Sequence, residues 1–156
     1  MENLIYIFWS LVFSAFFSGM EIAFVSSNKL RFELDKKQRT LSTSILAIFY
    51  RNPQQYIATM LVGNNIALVM YGLLMAKLLT PFFVWTHSPL IMMIFQTLIA
   101  TALVLFTGEF LPKAVFGINS NFWLRFFSWL LLFFYIILEK LILFKTKFHC
   151  FPIFSW

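Results

Sequence analysis

Ser10, Ser14, Ser18 and Glu21 recur at offsets of four, four and three residues within an otherwise apolar stretch, which places all four on one face of a helix. A second apolar stretch carries the adjacent amides of Asn64 and Asn65 behind Gly63, and a third ends Thr107-Gly108-Glu109-Phe110-Leu111-Pro112-Lys113. Hydroxyl, amide and carboxylate oxygens are hard donors that suit a hard cation such as Mg²⁺, and a carboxylate supplies the offsetting charge. Pro112 has no backbone N–H, so it releases the carbonyl of Gly108 from its helical bond and adds a backbone oxygen beside Glu109. Each group also has a plainer role. Serines near Ala15 and Gly19 make a packing seam, and paired asparagines make interhelical hydrogen bonds. Gly72 serves as a packing or bending position, and Glu109 with Lys113 can mark a kinked helix end reaching for water. Glu21 is explained less well that way, because a carboxylate inside a membrane is costly without water, a cation or a donor.

What is missing narrows the chemistry further. No Asp, His or Cys accompanies these groups, which argues against zinc, a serine–histidine pair or an aspartate dyad, and there is no glycine-rich phosphate loop. An enzyme is therefore not expected. His87 and His149 belong at interfaces, and the single cysteine, Cys150, excludes an internal disulfide framework.

The elements that must position these oxygens are set by composition. The chain is 61% apolar, 21% aromatic and only 12% charged, with mean hydropathy +0.84. A 156-residue soluble domain could not hide that much apolar surface, so lipid is its solvent. The net charge of +6 is broken up by aliphatic and aromatic runs, which leaves no basic face for nucleic acid. Four apolar stretches, about 4–27, 56–80, 90–111 and 121–144, each have the roughly 20 residues a helix needs to cross a hydrocarbon core of about 30 Å. The first lacks a basic leader and a small-residue cleavage site, so it is expected to stay in the protein rather than act as a secretory signal.

Residues 28–55 hold Lys29, Arg31, Lys36, Lys37, Arg39 and Arg51, six of the twelve lysines and arginines, whereas 81–89 hold none. The positive-inside rule puts 28–55 in the cytoplasm and both the N-terminus and the 81–89 turn outside, with Trp85 in the outer belt. The cytoplasmic connection is predicted as two short amphipathic helices, one carrying Leu30 and Leu34, the other Ile45, Leu46 and Phe49. Asn52-Pro53 then starts the second span. A fourth crossing would carry Lys140, Lys145 and Lys147 outside, and Arg125 lies within that stretch. A juxtamembrane helix at the cytoplasmic interface, with Trp123 and Trp129 at headgroup level, is expected instead. The predicted fold is all-α and integral to the membrane: three transmembrane helices, the short cytoplasmic pair, and an interfacial fourth. At about 1.5 Å per residue, Ser14, Ser18, Asn64 and Glu109 fall at one depth in the cytoplasmic half.

In this order and spacing, Phe17-Ser18-Gly19-Met20-Glu21-Ile22-Ala23, Gly63-Asn64-Asn65 and Gly108-Glu109-Phe110-Leu111-Pro112-Lys113 resemble the transmembrane domain of the CNNM/CorC family, also described as hemolysin-like, over about residues 4–145. The resemblance implies magnesium transport, generally export and in some cases sodium-coupled, in a bacterial inner (plasma) membrane. It also implies a homodimer with three spans and a juxtamembrane helix per subunit. By motif, Ser14, Ser18, Asn64 and Glu109 become candidate Mg²⁺ ligands, with Asn65, Glu21 and Gly108 as weaker ones. Gly63, Pro112 and Lys113 become structural or gating positions. Two departures stand out. Many members carry a second asparagine where this sequence has Leu68. Members also continue into nucleotide-binding cytosolic CBS domains, whereas here a transmembrane domain over 1–147 is followed by an aromatic tail over 148–156 with no CBS domain. The expectation is a truncated product, or a membrane half regulated by a separate cytosolic subunit. A non-transporting membrane scaffold or assembly component is the competing function, in which the serines, asparagines and Glu109 only join helices.

Overall fold

The computed structural model describes residues 2–28, 41–83 and 88–148. The chain folds as a bundle of helices with no strand among the described residues. Helix α1 (Glu2–Val25) is followed by α2 (Leu41–Arg51), α3 (Pro53–Leu79) and a single 3₁₀ turn (Thr80–Phe83). Helix α4 (Pro89–Val104) then runs through a π-helical segment (Leu105–Phe110) into α5 (Leu111–Ile118), before α6 (Ser120–Phe126) and α7 (Ser128–Phe148). Prolines occupy the first turns of α3 and α4, where the missing N–H costs nothing because it would have no intrahelical partner.

Among the described residues three helices are long and apolar enough to cross a membrane: Asn3–Val25, Pro53–Phe83 and Pro89–Ile118. The third is longer than its sequence pattern suggests, because the chain does not stop at Pro112. The π turn winds the backbone wider, and the Leu111 N–H donates to the Phe106 carbonyl five residues back. The wider turn gives the proline ring room that a regular α turn would deny it.

The fourth apolar stretch is not one straight helix. It breaks at Phe127 into Ser120–Phe126 and a second arm at 71°, and it adds a fourth span only if the two arms are taken together. Phe127 sits at φ −92°, ψ 8°, outside the helical basin, and the Ser128 hydroxyl donates to the Arg125 carbonyl at 2.9 Å, a carbonyl that also accepts from the Phe127 N–H. Aromatic contacts dock the second arm: Phe134 packs against Phe13, Phe16 and Phe17 of α1, and Tyr135 against Phe49 of α2.

Of the two amphipathic helices expected before the second span, α2 forms, burying Ile45, Leu46 and Phe49. The one expected around Leu30 and Leu34 lies outside the described residues, as do Trp85, His87 and the tail from His149. Most of the core collects at the α2 end of the bundle, where Phe24, Phe49, Tyr56, Leu124 and Leu131 interlock. There the Tyr50 and Ser27 hydroxyls hydrogen-bond, tying α2 to the end of α1. Burial pushes the Tyr50 phenol above its ordinary range, and the Ser27 bond offsets part of that rise. A smaller cluster of Ile7, Tyr71 and Met75 closes the other end of α1 against α3.

Candidate cation site

The most extensive helix pairing in the bundle is α1 against α3, and it sets the site. Two glycines allow close approach to and from α1, Gly63 for α3 and Gly19 for α5. A Cβ on Gly63 would stand 2.7 Å from the Phe17 ring, and one on Gly19 would stand 2.8 Å from the Phe116 ring. Neither contact could exist with a side chain in place, since carbon atoms settle near 3.5–4.0 Å. With Phe17 seated on Gly63, the next residue meets α1: the Ser14 hydroxyl donates to Asn64 Oδ1 at 2.8 Å, both residues being buried.

The π segment delivers the third component. Gly108 is buried, and a Cβ there would lie 3.2 Å from Ser14 Oγ and 3.0 Å from Val104 Cγ2. The backbone around Gly108 therefore faces the serine directly. One turn along α1, Ser18 is fully buried, and its hydroxyl has no hydrogen-bond partner among the described residues. Buried hydroxyls are seldom left unpaired, so Ser18 is the polar atom here that calls for an oxygen, a water or a cation opposite it.

The other candidates fall differently. The Glu109 carboxylate is partly exposed and pairs with Lys113, Oε2 to Nζ 3.4 Å, instead of joining Ser14 and Asn64. Asn65 points away from the α1–α3 contact and is exposed. Glu21 is half-buried toward the α2 end of α1, with no hydrogen bond or ion pair among the described residues. Pro112 is buried and Lys113 exposed. The helices thus bring Ser14, Asn64 and Gly108 together, with Ser18 one turn along α1, while Glu109 stands one residue from Gly108 on a different face of the same π turn.

Among the described residues no three His, Cys, Asp or Glu side chains converge. The donor set is hydroxyl, amide and backbone oxygen with a single carboxylate nearby, which matches the preference of hard cations for oxygen and offers nothing to a thiophilic metal. Phe17 opens the first motif but carries no chemical signature there, and Phe116 lies outside the motifs; the only sequence signal that could have found either ring is the motif glycine it packs on, Gly63 for Phe17 and Gly19 for Phe116.

Set against known protein families, the chain matches the family described as CNNM, Cyclin M transmembrane N-terminal domain, over residues 4–151. Comparison with curated proteins returns no match.

Proposed function

Since the chain belongs to the CNNM family of transmembrane domains, one associated with divalent-cation transport and not with catalysis, we propose that it carries magnesium across the membrane, in the export direction and coupled to sodium. The observation that carries this reading is the buried contact of Ser14, Asn64 and Gly108 beside the unpartnered Ser18 hydroxyl. A cation entering there would meet neutral oxygens first. It would need Glu109 to leave Lys113 and turn inward for charge compensation, because neutral donors alone poorly repay the dehydration of Mg²⁺. Lys113 then acts as the resting counter-ion of Glu109, and the π turn is the stretch of backbone through which the carboxylate would move. Helix α2 lies in the cytoplasm, as the clustering of basic residues in 28–55 supports, and the working unit is a homodimer in a bacterial inner membrane.

The test is Mg²⁺ flux in proteoliposomes with and without an opposing sodium gradient. Wild type is expected to move Mg²⁺, and Glu109→Gln is expected to reduce the flux at least tenfold, on the order of what one lost charge-assisted contact is worth. Flux by Glu109→Gln equal to wild type would remove the carboxylate from the mechanism. No flux by wild type in either direction would favour the scaffold reading, in which the same polar contacts only hold helices together.

A further inference from the structure

A second feature lies away from this site. Between α3 and α4, in the halves nearer their connecting turn, is a mostly apolar cleft of about 390 Å³ whose polar lining residues are Tyr71, Gln96, Thr97 and Thr101. The Gln96 amide nitrogen is buried there with no partner among the described residues. Tyr71 spends its proton on the Ala100 carbonyl at 3.1 Å and Thr97 spends its own on Met93 at 2.8 Å. Both oxygens therefore keep only lone pairs for whatever occupies the cleft.

Leu68 and Val104 line the end of the cleft nearest the cation site. Leu68 is one turn along α3 from Asn64, and Val104 is one turn along α4 from Gly108, with its Cγ2 3.0 Å from where a Gly108 Cβ would be. An apolar layer one side chain thick thus separates the cleft from the cation site.

We infer that this cleft is a water-filled recess that takes a hydrated divalent cation, closed from the Ser14–Asn64–Gly108 cluster by Leu68 and Val104. A buried amide without a partner inside a membrane span is costly, whereas a water beside it satisfies it. At ~30 Å³ per molecule the cleft has room for about ten waters, enough to keep an ion's first shell. Among the described residues no charged side chain lines it, so it suits an ion that retains its hydration and gives no reason to strip one. The inference rests on the transport reading for the identity of the ion but not for the presence of water.

The test uses single-cysteine chains in which Cys150 is replaced by serine, reconstituted in vesicles and exposed to a membrane-impermeant charged thiol reagent. Thr101→Cys and Gln96→Cys are expected to react about tenfold faster or more than Leu98→Cys on the exposed apolar face, because a charged reagent avoids hydrocarbon. Reaction is expected only from the side bearing the α3–α4 turn. Adding Val104→Ala to Thr101→Cys is expected to admit the reagent from the other side as well. Rates for both recess cysteines no faster than Leu98→Cys would overturn the inference. Thr101→Cys chains that resist the reagent but link to each other on mild oxidation would also overturn it, assigning the cleft to contact between copies. Labelling needs no transport, so the two readings fail separately: a labelled recess without Mg²⁺ flux refutes transport alone, and flux without labelling refutes the recess alone.

Discussion

Adding one methyl group at Gly63 should separate the two helices that make the site. A Cβ there would lie 2.7 Å from Cε1 and from Cζ of Phe17 and 2.8 Å from Cδ1, roughly 1 Å inside a normal carbon–carbon contact. Phe17 cannot swing clear easily, because it is buried and packed against Phe134 and Phe16. Overpacking of this kind costs about 1–3 kcal/mol, while replacing a mid-helix glycine with alanine returns about 1 kcal/mol in helix propensity. The net expectation for Gly63→Ala is a loss of up to about 2 kcal/mol. Gly72→Ala serves as the control, since nothing lies within 4 Å of a Cβ at that position; it should gain up to about 1 kcal/mol. Thermal unfolding of the detergent-solubilised protein reads both, and at roughly 2–4 °C per kcal/mol the two variants should differ by several degrees. The same displacement pulls Asn64 from Ser14, so Gly63→Ala should also lose Mg²⁺-dependent stabilisation. Phe17→Leu added to Gly63→Ala should restore part of the lost stability by emptying the clash. Equal melting of Gly63→Ala and Gly72→Ala would refute the claim that Phe17 on Gly63 sets the helix separation.

The two buried serines should behave oppositely. Ser14→Ala leaves Asn64 Oδ1 buried without its donor and should cost about 1–3 kcal/mol in the absence of metal. Ser18→Ala removes a hydroxyl that has no partner among the described residues and should be neutral or stabilising without Mg²⁺, yet should weaken the stabilisation that Mg²⁺ confers; melting curves with and without Mg²⁺ separate the two, and a metal-independent loss for Ser18→Ala would argue against a ligand role. At the α2 end, Tyr50→Phe removes the bond to Ser27 and should cost about 0.5–1.5 kcal/mol, measured by thermal unfolding, while leaving Mg²⁺ stabilisation unchanged.

Much of this molecule is written in local sequence. Apolar runs of about 20 residues can only be satisfied in lipid as helices, because each backbone polar group must bond within its own segment. Pro53 and Pro89 mark helix starts by their missing N–H, and the four-residue spacing of Ser14 and Ser18 fixes their common face whatever surrounds them. The oxygen-rich character of the site follows from residue types alone. Other features depended on what each segment meets. The break at Phe127 is accompanied by the Ser128 hydroxyl bonding the Arg125 carbonyl, and it is stabilised by aromatic rings drawn from α1 and α5. Nothing in the run from 121 to 144 announces it. Continuation of the third helix through Pro112 required the π turn, a change in winding that local propensity does not encode. That turn also decided which group faces Ser14. By composition Glu109 is the obvious ligand, but the extra residue per turn presents Gly108 instead and leaves the carboxylate with Lys113. Residue type determined what chemistry is available to this chain; helix winding and the close approaches at Gly19, Gly63 and Gly108 decided which of those atoms meet, because side-chain direction is set by backbone rotation and not by order along the chain.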